Sequence, residues 1–290
     1  MTSIESAGVV VPKFSVCELA LQSTTLDEDI DLCSALQISW LGIDERKIEG
    51  DDVALVSQRL ETAGVSPGVC TPSTLSILPS PIIQGKRHDP ADRVEDICAG
   101  IDVLAKLHPT AILIVTGPAG DLDERSARSI VVDGLRTIAD IAAQHAIPLA
   151  LEPMRLEHRQ TWSIITSLPE TFELIEEVGK DIKIVYDVWH MWRTPDVIAL
   201  TEEYAREFVD VQLSDYREPT RMPMDRVLPG QGVIDLPAIF GALKRGGYDG
   251  IYDLEVFSHL SLPDSIWKRS PKDWVAEGRQ GFLEAWASRY

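Results

Sequence analysis

The feature that most limits how this chain can fold is a regular alternation of short apolar runs with segments of helical periodicity. Eight such pairs follow one another between residues 17 and 289. Runs such as AILIVTG (111–117) have the length and continuous hydrophobicity of strands buried on both faces of a parallel sheet. Each run precedes a segment whose apolar residues recur at helical spacing, for example 123–146. Eight strand–helix pairs favour a closed (β/α)8 TIM barrel over an open, doubly wound α/β sheet.

The predicted strands are CELALQS (17–23), SWLGIDE (39–45), VSPGVC (65–70), AILIVTG (111–117), IPLALEP (147–153), IKIVYDV (182–188), FVDVQLSD (208–215) and GIYDLEV (250–256). No linker, charge block or low-complexity tract divides the chain. We therefore predict one domain over 1–290, with the barrel over about 15–260 and a C-terminal helical segment over about 265–290. The long loops 71–90 and 216–235 follow strands, so we expect both on the catalytic face.

Charge and composition exclude several classes of partner. The net charge of −19 argues against nucleic acid and against an anionic membrane, because both attract a basic surface. No apolar run approaches the roughly 20 residues of a membrane span, and MTSIESAGVVVPKF lacks the pattern of a signal peptide. Cys17, Cys33, Cys70 and Cys98 show no close pairing motif, as expected of reduced thiols. We therefore predict a cytoplasmic protein.

Four consecutive predicted strands, the fifth to the eighth, end in a polar or acidic residue. These residues are Glu152, Asp187, Gln212 and Glu255. Each lies near the carboxyl end of its strand, so all four are predicted to point into one mouth of the barrel. Three acids and an amide at one place predict a divalent-metal site, and oxygen ligands suit Mg²⁺ or Mn²⁺ better than Zn²⁺. Three carboxylates around a dication leave a charge of about −1, which keeps them basic. For any one acid taken singly, a helix cap or an arginine partner is the alternative.

Four further residues near this mouth are candidates for substrate binding. His190 begins the loop after the sixth strand and could orient a substrate oxygen or act as an acid, or it could be a surface histidine or one that only supports the residues in contact with the substrate. Arg217, just past the seventh strand, could stabilise enolate charge, or pair with a loop acid such as Asp215. Glu45 ends the second strand and is a candidate hydrogen-bonding group, while His158 lies in a loop on the same face.

Several motifs resemble those of a known group, the xylose-isomerase-like TIM barrels of the sugar phosphate isomerase/epimerase family. They are ALEPM, YDVWH, VQLSD followed by YR, PGQGVIDLPAIFGALKRGGYDG and DLEVFS, in family-like order over about 15–260. The resemblance implies that Glu152, Asp187, Gln212 and Glu255 bind a divalent metal, Mn²⁺ foremost, with Mg²⁺ and Co²⁺ as the other candidates. It also implies that His190 and Arg217 contact the substrate.

The implied reaction is proton abstraction α to the carbonyl of a keto sugar or cyclic polyol. Glu152 or Glu255 removes the proton to give an enediolate at the metal, and the opposite glutamate returns it. One departure concerns Gln212, which stands where ketose epimerases carry histidine and which resembles the 3-dehydroshikimate dehydratase branch. A lyase or dehydratase, including one that acts on inososes, is therefore the alternative reaction.

The segment DRVLPGQGVIDL also resembles relatives that act on oxidised sugars, including C-glycoside-cleaving lyases with a small partner subunit. β-Elimination of a 3-keto C-glycoside is thus a further form of the lyase alternative. A non-catalytic carbohydrate-binding barrel is the alternative from a different class. We expect a homo-oligomer, and the resemblance leaves room for a small partner subunit.

Overall fold

A computed structural model describes residues 12–82 and 87–289. The strands are β1 (Lys13–Cys17), β2 (Trp40–Gly42), β3 (Ser66–Pro67), β4 (Val69–Cys70), β5 (Ala111–Ile114), β6 (Leu149–Leu151), β7 (Ile182–Asp187), β8 (Phe208–Leu213), β9 (Asp215–Tyr216), β10 (Arg226–Val227) and β11 (Ile251–Leu254). The helices are α1 (Leu26–Ala35), α2 (Val53–Ala63), α3 (Pro90–Leu104), α4 (Glu124–Gln144), α5 (Leu168–Val178), α6 (Val188–Met191), α7 (Val197–Tyr204), α8 (Leu236–Gly246) and α9 (Pro271–Ala287).

The parallel strands form a ring. β1 pairs with both β2 and β11, and pairing continues through β8, β7, β6 and β5 to β4. The short strands β3 and β4 flank Gly68 and share one position, since β3 pairs with β2 and β4 pairs with β5. The Gly68 N–H donates to the Leu41 carbonyl over 2.7 Å, and the Gly68 carbonyl accepts from Thr110 over 3.0 Å. The predicted TIM barrel is therefore confirmed.

The first predicted strand, CELALQS (17–23), is wrong in position. The strand lies earlier, at Lys13–Cys17, and Glu18–Ala20 form a 3₁₀ turn. Ala20 and Leu21 are nevertheless buried, because they join the main core from outside the sheet. A buried loop thus produced an apolar run that resembles a strand. The other seven strand positions fall within their predicted ranges.

Local signals fix where the helices begin and end, and so where the strand–helix loops lie. Thr25 and Glu28 form a reciprocal capping box at the start of α1, and Asp123 accepts the Ser126 N–H at the start of α4. Such caps satisfy amide groups that have no partner within the helix. Gly64 ends α2 in the left-handed conformation, with φ of 70°, which glycine adopts without steric cost.

The inside of the barrel has an apolar half and a polar half. The apolar half is a separate buried cluster formed by Val69, Ala111, Leu113, Ala150 and Val185. The polar half lies on β1, β8 and β11 and contains Ser15, Asp210 and Asp253, which are at most 2% exposed. Since residues two apart on a strand face the same side, Asp210 lies one layer below Gln212, and Asp253 one layer below Glu255.

A hairpin after β8 folds over the mouth of the barrel. β9 and β10 pair in antiparallel fashion, with Tyr216 opposite Arg226 and Asp215 opposite Val227. The Asp215 carboxylate accepts four backbone N–H groups at 2.8–3.0 Å, those of Tyr216, Gly230, Gly232 and Ile234. The hairpin and the PGQG turn are therefore held by one buried acid. Both lie in the second long loop, which we predicted on the catalytic face.

Within residues 12–82 and 87–289, no helix has both the length and the apolar character needed to cross a membrane. Cys17, Cys33, Cys70 and Cys98 are free thiols. The N-terminal segment in which we predict no signal peptide lies almost wholly outside the described residues. A single domain over 1–290 stays a prediction.

Candidate active site

The four strand-end residues are all buried at the mouth of the barrel. Glu152 follows β6, Asp187 closes β7, Gln212 lies in β8 and Glu255 follows β11, and none is more than 5% exposed. Gln212 Nε2 donates to Glu255 Oε1 over 3.0 Å. One ligand atom each from Glu152, Asp187 and His190 form a group within 4.8 Å of one another. The structure therefore places these five predicted site residues in one region.

An arginine that we did not predict lies between the carboxylates. Arg226, in β10, has Nη1 2.8 Å from Asp187 Oδ2 and 3.1 Å from Glu255 Oε2. The guanidinium stacks on the rings of Trp189 and Phe257, with Cζ 4.5 Å and 4.9 Å from their centroids. In the sequence Arg226 falls in the predicted loop 216–235 and belongs to no periodic pattern, so its burial cannot be read from spacing. The resemblance of the segment DRVLPGQGVIDL is the one signal that points to it.

Burial dominates the electrostatics of these acids. Desolvation raises the pKa of Glu255 to about 8, and the nearby Arg226 charge offsets only part of this shift. Burial, then the charges of Glu255 and Asp187, raises the pKa of Glu152 well above its usual value. Burial also raises the pKa of Asp187, although Arg226 opposes it. Burial alone would lower the pKa of Arg226, but the carboxylates outweigh it and raise that pKa. The site thus holds a positive charge that the predicted balance of about −1 omits.

His190 presents one N–H to the carboxylates. Its Nδ1 accepts the Arg155 backbone N–H over 3.2 Å, which favours a neutral ring with its proton on Nε2, although the donor Arg226 Nη2 also lies 3.4 Å from Nε2. Nε2 lies 3.5 Å from Asp187 Oδ2 and 3.7 Å from Glu152 Oε1. Burial, and then the charge of Arg226, lowers the pKa of His190 well below its usual value. A neutral ring in this tautomer is suited to donate a hydrogen bond rather than to bind a metal through Nε2.

A cavity of about 280 Å³ lies at this mouth. Glu152, His190, Arg226 and Glu255 line it. Much of the remaining wall is apolar, with Leu19, Leu75, Met154, Trp162, Met224 and Phe257. The ion pair Asp44–Arg46 also lines the cavity. A mostly apolar cavity with a few convergent polar groups is the usual form of a small-molecule site.

His158 lines the same cavity, as its predicted role requires. Its ring centroid lies 5.3 Å from that of His190 and 5.9 Å from that of Trp189. Burial lowers the pKa of His158 to about 4, so the ring is uncharged at neutral pH. Its role in substrate binding stays a prediction.

The other two predicted substrate residues lie outside the set that lines this cavity. Arg217 forms ion pairs of 3.2 Å with both Asp225 and Asp264, which is the loop-acid alternative with different acids. Glu45 accepts the Ser73 backbone N–H over 2.6 Å. Contacts of Arg217 and Glu45 with substrate stay predictions, whereas the neighbours of Glu45, Asp44 and Arg46, do line the cavity.

The carboxylate and amide oxygens at the mouth are of the type that binds a hard divalent cation. Gln212 Oε1 is buried and has no hydrogen-bond partner among the described residues. Leaving a buried acceptor unpaired is costly, and a cation is one group that would satisfy it. Carboxylate and amide oxygens are the ligands that Mg²⁺ and Mn²⁺ prefer. Glu152, Asp187, Gln212 and Glu255 remain the predicted ligands.

Two related sequences align with about half of this chain. An inosose isomerase of Halalkalibacterium halodurans is 28% identical over 155 residues, which make up 50% of this chain and 53% of that protein. An inosose dehydratase of Geobacillus thermodenitrificans is 23% identical over 171 residues, 53% of each chain. The chain spans about half the length of the curated relatives it matches.

Solved structures share the fold over nearly the whole chain. Protein SMc04130 of Sinorhizobium meliloti 1021 has a TM-score of 0.82 at 21% identity and covers 94% of this chain and 98% of its own. The IOLI protein, solved with a bound zinc atom, has a TM-score of 0.78 at 16% identity over 96% and 99%. D-Psicose 3-epimerase of Clostridium cellulolyticum H10 has a TM-score of 0.76 at 14% identity over 96% and 100%. The profile of the xylose isomerase-like TIM barrel family matches residues 30–285, and the chain therefore belongs to that family.

Proposed function

We propose that this protein is a divalent-metal-dependent enzyme of the sugar isomerase/epimerase type, which moves a proton α to the carbonyl of a keto sugar or cyclic polyol. The observation that carries the proposal is the buried pair Glu152 and Glu255. Their strands, β6 and β11, are three positions apart in the ring, so the carboxylates approach a substrate from different sides. Burial raises the pKa of both groups, and a carboxylate with a raised pKa is a stronger base than an exposed one.

The relatives support the same class of reaction. Three matching proteins carry the name inosose isomerase, which makes a ketone of a cyclic polyol the first substrate to test. The IOLI protein shares this fold and was solved with a bound zinc atom, which supports a divalent ion as the cofactor of this chain. We propose Mn²⁺ as the working ion, with Mg²⁺ and Co²⁺ as further candidates, held by Glu152, Asp187, Gln212 and Glu255.

A divalent cation at this site would polarise the substrate carbonyl and acidify the α-proton. Glu152 or Glu255 would take that proton, and the other glutamate would return one to the neighbouring carbon or to the other face. His190 Nε2–H would donate a hydrogen bond to a substrate oxygen and so fix the orientation. The apolar walls of the cavity would limit the access of water to the carbanion-like intermediate.

Proton exchange in D₂O tests the proposal. Inososes and keto sugars are incubated with the Mn²⁺-supplemented protein, and deuterium at the α-carbon is followed by NMR. We expect Glu152→Gln and Glu255→Gln each to lower the rate about 10²–10⁴-fold without loss of folding by circular dichroism. Glu61→Gln, at an exposed position of α2, is the matched control and should keep full activity. Full activity in either site variant would refute the assignment.

A lyase is the second candidate, and Gln212 favours it because this amide stands where the epimerases carry histidine. The inosose dehydratase among the relatives supports the same alternative. Elimination begins with the same proton abstraction and differs in the loss of a β-substituent. The same NMR experiment distinguishes the two, since exchange without loss of a group indicates an isomerase. Cytoplasmic location and a homo-oligomeric state stay predictions.

A further inference from the structure

We propose that Arg226 is a positioning residue that sets the metal affinity of this site. Its fixed positive charge holds the carboxylates in place without a metal and weakens the binding of a divalent cation. This inference rests on the proposed function, because it requires the cation site. Arg226 contacts two of the four predicted ligands, Asp187 and Glu255, and lines the same cavity.

All four carboxylate oxygens of Asp187 and Glu255 accept hydrogen bonds. Asp187 Oδ1 accepts the Trp189 N–H, and Asp187 Oδ2 accepts Arg226 Nη1, both over 2.8 Å. Glu255 Oε1 accepts Gln212 Nε2 over 3.0 Å, and Glu255 Oε2 accepts Arg226 Nη1 over 3.1 Å. A cation bound by either acid must share an oxygen with one of these donors or displace it. Charge-assisted bonds to a guanidinium are the strongest of the set.

Displacement of Arg226 is opposed by its packing. Its guanidinium lies against the rings of Trp189 and Phe257. Its backbone N–H donates to the Phe257 carbonyl over 3.2 Å, and its strand pairs with β9 opposite Tyr216. We therefore expect the guanidinium to stay beside a bound cation. Even with the dielectric constant of water, the repulsion between a monovalent and a divalent cation about 5 Å apart is large enough to weaken metal binding about tenfold.

The charges of the site balance when both cations are present. Glu152, Asp187 and Glu255 carry three negative charges, which one guanidinium and one dication neutralise. Without the charge of Arg226, a dication would sit in a site of net negative charge and would be held more tightly. The metal-free carboxylates would at the same time repel one another more strongly. Loss of the Arg226 charge should therefore strengthen metal binding but destabilise the metal-free protein, whereas a purely structural role predicts no gain in metal affinity.

Calorimetric titration of Mn²⁺ into the chelator-treated full chain tests the proposal. We expect Arg226→Gln to lower the Kd about tenfold or more and to lower the Tm of the metal-free protein. The matched control is Arg193→Gln, which removes a nearby arginine that stacks on Trp192 and pairs with Glu218. We expect its Kd to stay within about twofold of the wild-type value.

An unchanged or higher Kd in folded Arg226→Gln overturns the proposal. If this variant folds only with metal, the rate at which a chelator removes Mn²⁺ from the loaded protein decides: slower release than in the wild type supports the role, and equal or faster release overturns it. Wild-type and variant proteins that all bind no metal overturn both proposals. Tighter binding in the variant, together with no turnover of any keto sugar by the wild-type protein, supports the role of Arg226 and overturns only the proposed function.

Discussion

Replacement of Asp215 by asparagine should destabilise the hairpin that carries Arg226. Oδ1 of Asp215 accepts the N–H groups of Tyr216 and Ile234, and Oδ2 accepts those of Gly230 and Gly232. Asparagine keeps one oxygen and turns a donor NH₂ group toward the other two N–H groups. Two buried N–H groups then lose their acceptor, and each loss costs about 1–3 kcal/mol.

A compensating effect reduces this cost. Burial raises the pKa of Asp215 even though four N–H groups oppose the shift, so the neutral amide avoids part of the desolvation of the anion. We therefore expect a decrease of about 3 kcal/mol in the free energy of unfolding, toward the lower half of the range that two lost bonds allow. The loss should be local to the hairpin and the PGQG turn.

Urea unfolding at neutral pH measures the change as a shift of the midpoint at constant m-value. Hydrogen exchange should show reduced protection of the Gly230, Gly232 and Ile234 amides before any change in the barrel strands. Asp123→Asn is the matched control, because asparagine caps a helix about as well as aspartate. A loss below about 1 kcal/mol, or reduced protection spread evenly over the barrel, would show that Asp215 does not organise this loop.

Two further predictions concern packing and pH. Gly246→Ala should lower the free energy of unfolding in urea by about 3 kcal/mol, because a Cβ there would lie 2.2 Å from the Glu202 carbonyl oxygen. The control is Gly64→Ala, where the space is open but φ is +70°, and it should cost only about 1 kcal/mol. Equal losses in the two variants would contradict the clash at Gly246. The pKa of His158 is about 4 when folded and about 6.5 when unfolded, so the unfolded state binds more protons between these values and stability falls as pH drops through this window. Between pH 7 and pH 5, the free energy of unfolding of metal-free His158→Gln should therefore fall by about 1 kcal/mol less than that of the wild type, after allowance for the partial exposure of His158. An identical fall in both proteins would contradict the linkage.

The barrel and the residues at its mouth could be predicted because both depend on strongly periodic segments. The run Ile182–Val185 is apolar at every position but one, and Asp187 follows two residues later. This acid stands out without knowledge of the rest of the fold. Glu152 and Glu255 follow from the same rule. The ring also explains why they meet, since the carboxyl ends of parallel strands share one rim.

The environment of these acids could not be predicted in the same way. Arg226 lies in the hairpin strand β10, inside the predicted loop 216–235, and its partners Asp187 and Glu255 are 39 and 29 residues away, so no local spacing connects them. Arg217 was the more obvious arginine because it follows a strand directly, but two loop acids hold it. Loop residues are placed by tertiary contacts, and these contacts leave no period in the sequence.

The pairing of β1 with β11, which closes the ring, determines when a complete site can form during synthesis. Lys13 of β1 pairs with Ile251 of β11, so one edge of β1 has no partner until the last strand of the barrel has been synthesised. Such an open edge can pair wrongly while the chain waits. Glu255 directly follows β11, which means that the strand closing the ring also delivers the last carboxylate. A chain released or cleaved before that strand would lack both ring closure and the second glutamate, so no partly built barrel could carry out the proposed proton transfer.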